Sequence, residues 1–160
     1  MKPPVGSKAN LRPVDPGEGV LLWRWVNDPD VRSASYHSQP ISWEEHEAWF
    51  RQKRRDPHCC IYVVLDEKDA PIGQIRFDRV SAGDVHVDLS IAAEKRGQGY
   101  GLTALESACR RFREEMGPGT FLAFIKMENL ASRRIFEKAG FILLERRRVH
   151  GCDSVVMALQ

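Results

Sequence analysis

The sequence predicts a single α+β domain: a mixed, mostly antiparallel sheet of about seven strands, the fourth and fifth parallel, with helices flanking it. Three observations predict this. The chain has 160 residues, 42% hydrophobic and 29% charged, which is enough for one buried core and too few for two domains. Its middle carries three apolar, β-branched runs separated by short turns, the pattern of an antiparallel meander. A helix-period segment then joins the third run to a further strand, and a connection of that kind makes the two strands parallel, with a right-handed crossover.

Residues 1–9 read as a loose tail and residues 10–160 as the domain. Residues 10–14 form a first short strand, closed by Pro16 and Gly17. A helix over 18–27 and a shorter one over 30–34 follow. Ser42, answered by Glu45 three residues on, is the capping-box pattern, and the helix it opens runs to Arg55 before Asp56 and Pro57 stop it. Residues 60–66 and 71–77 make a hairpin, and residues 85–91, alternating apolar and polar, add the next strand. Leu102, Leu105, Cys109 and Phe112 recur at helical spacing up to Gly117. Strand 121–125, a helix from Asn129 to Ala139 closed by Gly140, and strands 141–149 and 154–159 around a turn at 150–153 complete the order.

The composition excludes a disordered, collagenous or disulfide-dense chain. A net charge of +2 gives little general attraction to nucleic acid or an acidic membrane. The run Arg146-Arg147-Arg148 falls in a strand without aromatic partners, so no nucleic-acid partner is expected. No apolar stretch approaches the ~18 residues of a membrane span, and residues 1–10 lack a secretory core, so the expected location is cytoplasmic. Cys59, Cys60, Cys109 and Cys152 form no CxxC or zinc spacing and read as reduced thiols, with Cys59 and Cys60 a partly buried strand start; no metal is expected.

The segment Arg96-Gly97-Gln98-Gly99-Tyr100-Gly101 lies between a strand and a helix. Alternate glycines cost backbone entropy and let a ligand approach bare N–H groups at a helix N-terminus, which suits a phosphate. A Walker loop needs Gly-Lys-Ser/Thr where this chain has Gly101-Leu102-Thr103, and a dinucleotide fingerprint needs GxGxxG where it has GxGxG. Tight packing alone also fits such a turn.

Arg96-x-x-Gly99-x-Gly101 resembles the pyrophosphate turn of the GCN5-related N-acetyltransferases. The segment Asn129-x-x-Ser132-x-x-Ile135-Phe136 to Gly140-Phe141 is similar to that family's second cofactor region, and the resemblance extends over residues 11–159. It implies acetyl-CoA as cosubstrate, with Arg96, Gly97, Gln98, Gly99, Tyr100 and Gly101 at the diphosphate. It also implies Asn129, Ser132 and Phe136 along the pantetheine arm. A bulge in the fourth strand would splay it from the fifth and free main-chain groups at Leu89, Ser90 and Ile91, with the Ile91 N–H toward the thioester oxygen.

The acceptor is then a small-molecule primary amine attacking directly, with Asp88 or His86 as base on one face of the fourth strand. That face also fits plain solvent exposure. Many relatives carry Tyr at Phe136, which has no proton to give, leaving water or Ser132 for the departing thiolate. Trp23, Trp25, Trp43 and Trp49 cluster in the first third of the chain, and two or three of them fit plain core. The pattern Trp25-x-Asn27-Asp28-Pro29-x-Val31-Arg32, followed by Ile41-Ser42-x-x-Glu45-His46-x-x-Trp49, resembles the enzymes acetylating UDP-linked 4-amino-sugars, which implies Trp25, Asn27, Arg32 and His46 at the acceptor. Alternative acceptors are a protein N-terminus, an amino acid, a polyamine or an antibiotic, and a silent acyl-CoA sensor is a further reading. Edge strands six and seven offer a surface for a homodimer.

Overall fold

The computed structural model describes residues 8–160. The expected tail over 1–9 falls mostly outside them; of its last two residues, Ala9 is packed into the core. The chain then forms β1 (Asn10–Pro13), a 3-10 turn (Pro16–Glu18), α1 (Gly19–Val26), α2 (Pro29–Ala34) and α3 (Trp43–Arg55). The meander is β2 (Cys59–Leu65), β3 (Pro71–Arg79) and β4 (Asp84–Ile91). After a 3-10 turn (Ala93–Lys95) come α4 (Tyr100–Met116), β5 (Thr120–Lys126), α5 (Leu130–Lys138), β6 (Ile142–Val149) and β7 (Cys152–Leu159).

The seven strands form one sheet in the order β1-β2-β3-β4-β5-β7-β6, antiparallel except for β4 with β5. β7 therefore lies inside the sheet, between β5 and β6, and is not an edge as the sequence suggested; the edges are β1 and β6. Only β6 leaves an edge near the C-terminus, with Ile142, Leu143 and Leu144 exposed.

Alternation along β2 divides the protein into two layers of side chains. Tyr62 and Val64 join the main core, where α4 lays Leu105, Cys109 and Phe112 on the sheet. Phe112 is fully buried, 4.9 Å from Phe77 and 5.7 Å from Phe121 between ring centroids. Truncating it to alanine costs about 3–5 kcal/mol. Ile61, on the opposite face of β2, meets Leu22 of α1 and Phe50 of α3 in a smaller core.

Local chemistry sets the element ends. Ser42 Oγ accepts from the Glu45 N–H at 3.2 Å and caps α3, as its sequence predicts, but the returning half of that box is not formed. The complete box is at Asp15 and Glu18, where the Glu18 carboxylate accepts from the Asp15 N–H at 2.7 Å and from Arg12, and it steers β1 into α1. The last hairpin turns on His150 and Gly151, both at positive φ, so Cys152 already belongs to β7.

Candidate active site

β4 and β5 pair over only three positions, Asp84 with Thr120, Val85 with Phe121 and His86 with Leu122, and then diverge. β4 continues to pair with β3 as far as Ile91 with no register shift, so the slot opens without the bulge expected from the sequence. The unbroken register says which main-chain groups face it. The Ala92 N–H donates to Ile72 O on the β3 side, whereas Gly83 O accepts from Thr120 on the β5 side. Alternation along a strand then turns the N–H and C=O groups of Leu89 and Ile91 into the slot, and those of Ser90 toward β3. The Ser90 main chain, expected at the slot, is therefore spent on the sheet. The Ile91 carbonyl already accepts from Arg96 Nε at 2.8 Å, which leaves both groups of Leu89 and the N–H of Ile91.

At the mouth of the slot stands the glycine turn. Gly97 (φ 72°) and Gly99 (φ 91°) are left-handed, a conformation that costs any other L-residue roughly 1–2 kcal/mol. Among the described residues, none accepts a hydrogen bond from the main-chain N–H groups of residues 97–102, which include the free first turn of α4. The Gln98 carbonyl takes Lys8 Nζ at 3.0 Å, and its side chain folds back to Glu94 O. Tyr100 turns its ring inward and donates to Glu67 Oε2 at 2.6 Å, so the turn receives only its main chain.

Beside the slot, between β3, β4, β5 and the helices α1 to α3, lies a cavity of about 520 Å³. Asp88, Leu89 and Ser90 line it together with Asn129, Ser132 and Phe136, so the slot strand and the second cofactor motif meet here, while the glycine turn is not among the cavity's lining residues. Asp88 Oδ2 accepts from Gln74 Nε2 at 2.9 Å and lies 3.9 Å from the Arg76 guanidinium, its own side chain 56% exposed. Asn129 caps α5 by accepting from the Ser132 N–H at 3.2 Å. Phe136 is 3% exposed and stands edge-on to Phe141 at 4.9 Å. Trp25 and Trp49 form an aromatic wall, with Arg76 over the Trp49 ring at 5.0 Å.

Other expected residues are turned away from the cavity, committed to protein partners or packed into its wall. His86 shares a face with Asp88 but packs on Phe124 at 4.8 Å and is not among the cavity's lining residues; burial pushes its pKa below the usual histidine value. Asn27 clasps Ile41, donating to its carbonyl at 2.9 Å and accepting from its N–H at 2.8 Å, and so is committed to the loop. Arg32 reaches the cavity wall, yet its guanidinium donates to Val26 O and His37 O, both at 2.6 Å. His46 lines the cavity while 4% exposed, packed among Trp43, Trp49 and Phe50; burial lowers its pKa, and its Nε2 has no partner among the described residues. Arg96 meets carboxylates, Asp30 at 2.9 Å and Asp28 at 3.5 Å. Glu45 and Trp49, part of the acceptor pattern read from the sequence, also line the cavity, and Gln74 and Arg76 line it without having been singled out as functional from the sequence. The period-two pattern Gln74, Arg76, Asp78 along β3 was the available signal for the first two.

A model of the acetyltransferase (GNAT) domain matches residues 8–142. The chain belongs to the GNAT family. It is an acetyltransferase and its cosubstrate is acetyl-CoA. Solved structures agree on the fold. Spermidine N-acetyltransferase from Vibrio cholerae in complex with CoA and spermine superposes with a TM-score of 0.85 at 18% identity, over 96% of each chain. A domain from Methanocaldococcus jannaschii gives 0.81 at 20%, over 96% of this chain and 98% of that one. A GNAT-family acetyltransferase from Bacillus anthracis gives 0.80 at 16%, over 95% and 94%. No curated protein matches the chain.

The residues present fit the GNAT cosubstrate. A row of unpaired N–H groups at a helix N-terminus suits a diphosphate, and the free Leu89 and Ile91 groups suit the amides of an extended arm. Among the described residues no group of three or more His, Cys, Asp or Glu is placed to hold a metal ion, and no helix is long and apolar enough to cross a membrane.

Proposed function

We propose that the protein transfers the acetyl group of acetyl-CoA to a primary amine of a small molecule, by direct attack, with Asp88 receiving the amine's proton. The observation that carries this reading is the junction of slot and cavity at Asp88, Leu89 and Ser90: main-chain donors open on one side and a carboxylate on the other. Acetyl-CoA supplies the activated thioester. Residues 97–102 hold its diphosphate with main-chain N–H groups, and Ile91 and Leu89 hold the arm as a neighbouring strand would. Of the two slot-facing N–H groups, Leu89 lies nearer the point of divergence and adjoins Asp88, so it rather than Ile91 meets the carbonyl oxygen on which negative charge builds.

Asp88 takes the proton directly or through one water, and Gln74 fixes the carboxylate for that task. His86 packs behind Phe124 of the wall and is not itself a lining residue, so it is not the base. Phe136 keeps the sulfur side of the site apolar, and Ser132 supplies the hydroxyl available there to the departing thiolate.

For the acceptor, the Trp25 and Trp49 wall supports an amine-bearing sugar, whose ring packs on indole faces. Arg32 and Arg76 are both already engaged, so a nucleotide-linked acceptor places its sugar in the cavity and its phosphates outside. A second reading is a polyamine acceptor. The carboxylates of Glu45 and Asp88 at the cavity favour it, as do the structural neighbours described as spermidine N-acetyltransferases. Thiol release from acetyl-CoA, followed across UDP-linked 4-amino-sugars, free amino-sugars and spermidine, separates the two. Turnover on spermidine alone removes the sugar, and turnover on no amine removes the catalytic reading.

A further inference from the structure

Arg96 follows the slot strand and opens the diphosphate turn, yet its guanidinium points to α2. Its Nη1 is 2.9 Å from Asp30 Oδ2 and its Nη2 3.5 Å from Asp28 Oδ1, while Nε holds the Ile91 carbonyl at 2.8 Å. Asp28 in turn caps α2, accepting from the Asp30 N–H at 2.9 Å. The other end of the same helix is tied to the opposite lip of the slot. Lys126, the last residue of β5, donates to Ser33 O at 2.8 Å, and Tyr36 Oη donates to Ser154 Oγ at 2.8 Å beside it on β7.

A six-residue helix has too few internal hydrogen bonds to hold its own place, so these ties set where it lies. α2 carries Val31 and Arg32 on the cavity wall, and Arg32 fixes the main chain at Val26 and His37 on either side of it. We propose that Arg96 is a positioning residue for the acceptor side of the site: with Lys126 it fastens α2 as a strap across the diverging ends of β4 and β5, and so links the coenzyme turn to the acceptor wall. This rests on the acetyl-transfer reading for its functional sense, although the strap itself is a property of the free protein. It departs from the sequence expectation, in which Arg96 is a diphosphate ligand. The diphosphate instead meets main-chain N–H groups, and Arg96 stays with α2.

The test uses the full chain without coenzyme. Hydrogen exchange of peptides spanning residues 29–36 is compared for the wild type, Arg96→Gln and the double variant Asp28→Asn/Asp30→Asn. The double variant leaves the coenzyme turn untouched and keeps a good N-cap at position 28. Both variants are expected to raise exchange in 29–36 about threefold or more, the scale of a partly exposed ion-pair pair of contacts. Calorimetry with acetyl-CoA is expected to give Kd values within about threefold of wild type for both. Unchanged exchange in either variant overturns the proposal. So does a loss of coenzyme affinity of about tenfold or more in Arg96→Gln alone, which returns Arg96 to the diphosphate. Absence of any binding heat with wild-type protein counts against the coenzyme reading instead, and the exchange comparison still decides the strap.

Discussion

Gly99→Ala puts the smallest possible perturbation on the glycine turn proposed to hold the coenzyme. Gly99 sits at φ 91°, ψ −3°, and an added Cβ meets nothing within 4 Å, so no clash contributes and the cost is backbone strain alone. That strain is about 1–2 kcal/mol. Two responses are open to the chain. If the turn keeps its shape, the free protein loses that stability, which for a domain of this size lowers Tm by about 2–8 °C. If the turn relaxes, Tm is spared but the N–H row moves, and restoring it on binding weakens acetyl-CoA by about 5–30-fold. The two effects are complementary, so the Tm loss converted to free energy and the loss in Kd together account for about 1–2 kcal/mol. Thermal melts and titration calorimetry read the two parts, with Gly83→Ala, which lies in open space outside the left-handed region, as the neutral control. A Gly99→Ala protein with both Tm and Kd unchanged refutes the claim that this turn is held in its left-handed form for the coenzyme.

Three further outcomes follow from the geometry. Asp88→Asn lowers kcat by about 10²–10⁴ with acetyl-CoA affinity unchanged, whereas His86→Ala, at a residue that is not among those lining the cavity and packs behind Phe124, leaves kcat within a few-fold; stopped-time thiol assays on the identified acceptor check both. His46 has its pKa lowered by burial, so the unfolded chain binds the proton first. Its contribution to stability is full above the ordinary value near 6.5 and is lost as pH falls below it, and urea melts at pH 7.5 and 5.5 should show that loss shrinking in His46→Leu. Arg32→Gln removes two short charged hydrogen bonds to main-chain carbonyls, each worth about 1.5–3 kcal/mol at most, and lowers Tm by several degrees; an unchanged melt denies Arg32 its place as the tie of the α2 loop.

The architecture was legible because its signals are local and mutually consistent. Period-two apolar alternation in β4, the helical spacing of Leu102 to Phe112, and the turn residues between strands each agree with the observed elements. The parallel join of β4 and β5 followed from the helix between them. What the sequence left open depends on contacts between distant positions. That β7 lies inside the sheet is decided by its pairing with β5, which no local pattern announces. Asn27, Arg32 and Arg96 have the residue types of ligand-binding groups, but protein partners claim each of them: Ile41 and Asp30 from other segments for Asn27 and Arg96, and the nearby carbonyls of Val26 and His37, which the fold of the α2 loop brings together, for Arg32. Gln74 and Arg76 escaped notice as polar strand residues, and only the β3–β4 register sets them beside Ser90 and Asp88. The glycine turn was readable because what marks it is unpaired main chain, whose availability the glycines and the helix start already encode.

Residue-resolved amide exchange with and without acetyl-CoA tests the central claim most directly. Slower exchange is expected at Leu89, Ile91 and residues 97–102 on binding, and no comparable change at Asp88 and Ser90, whose N–H groups already serve β3. Binding that leaves Leu89, Ile91 and the turn exchanging as in the free protein contradicts it.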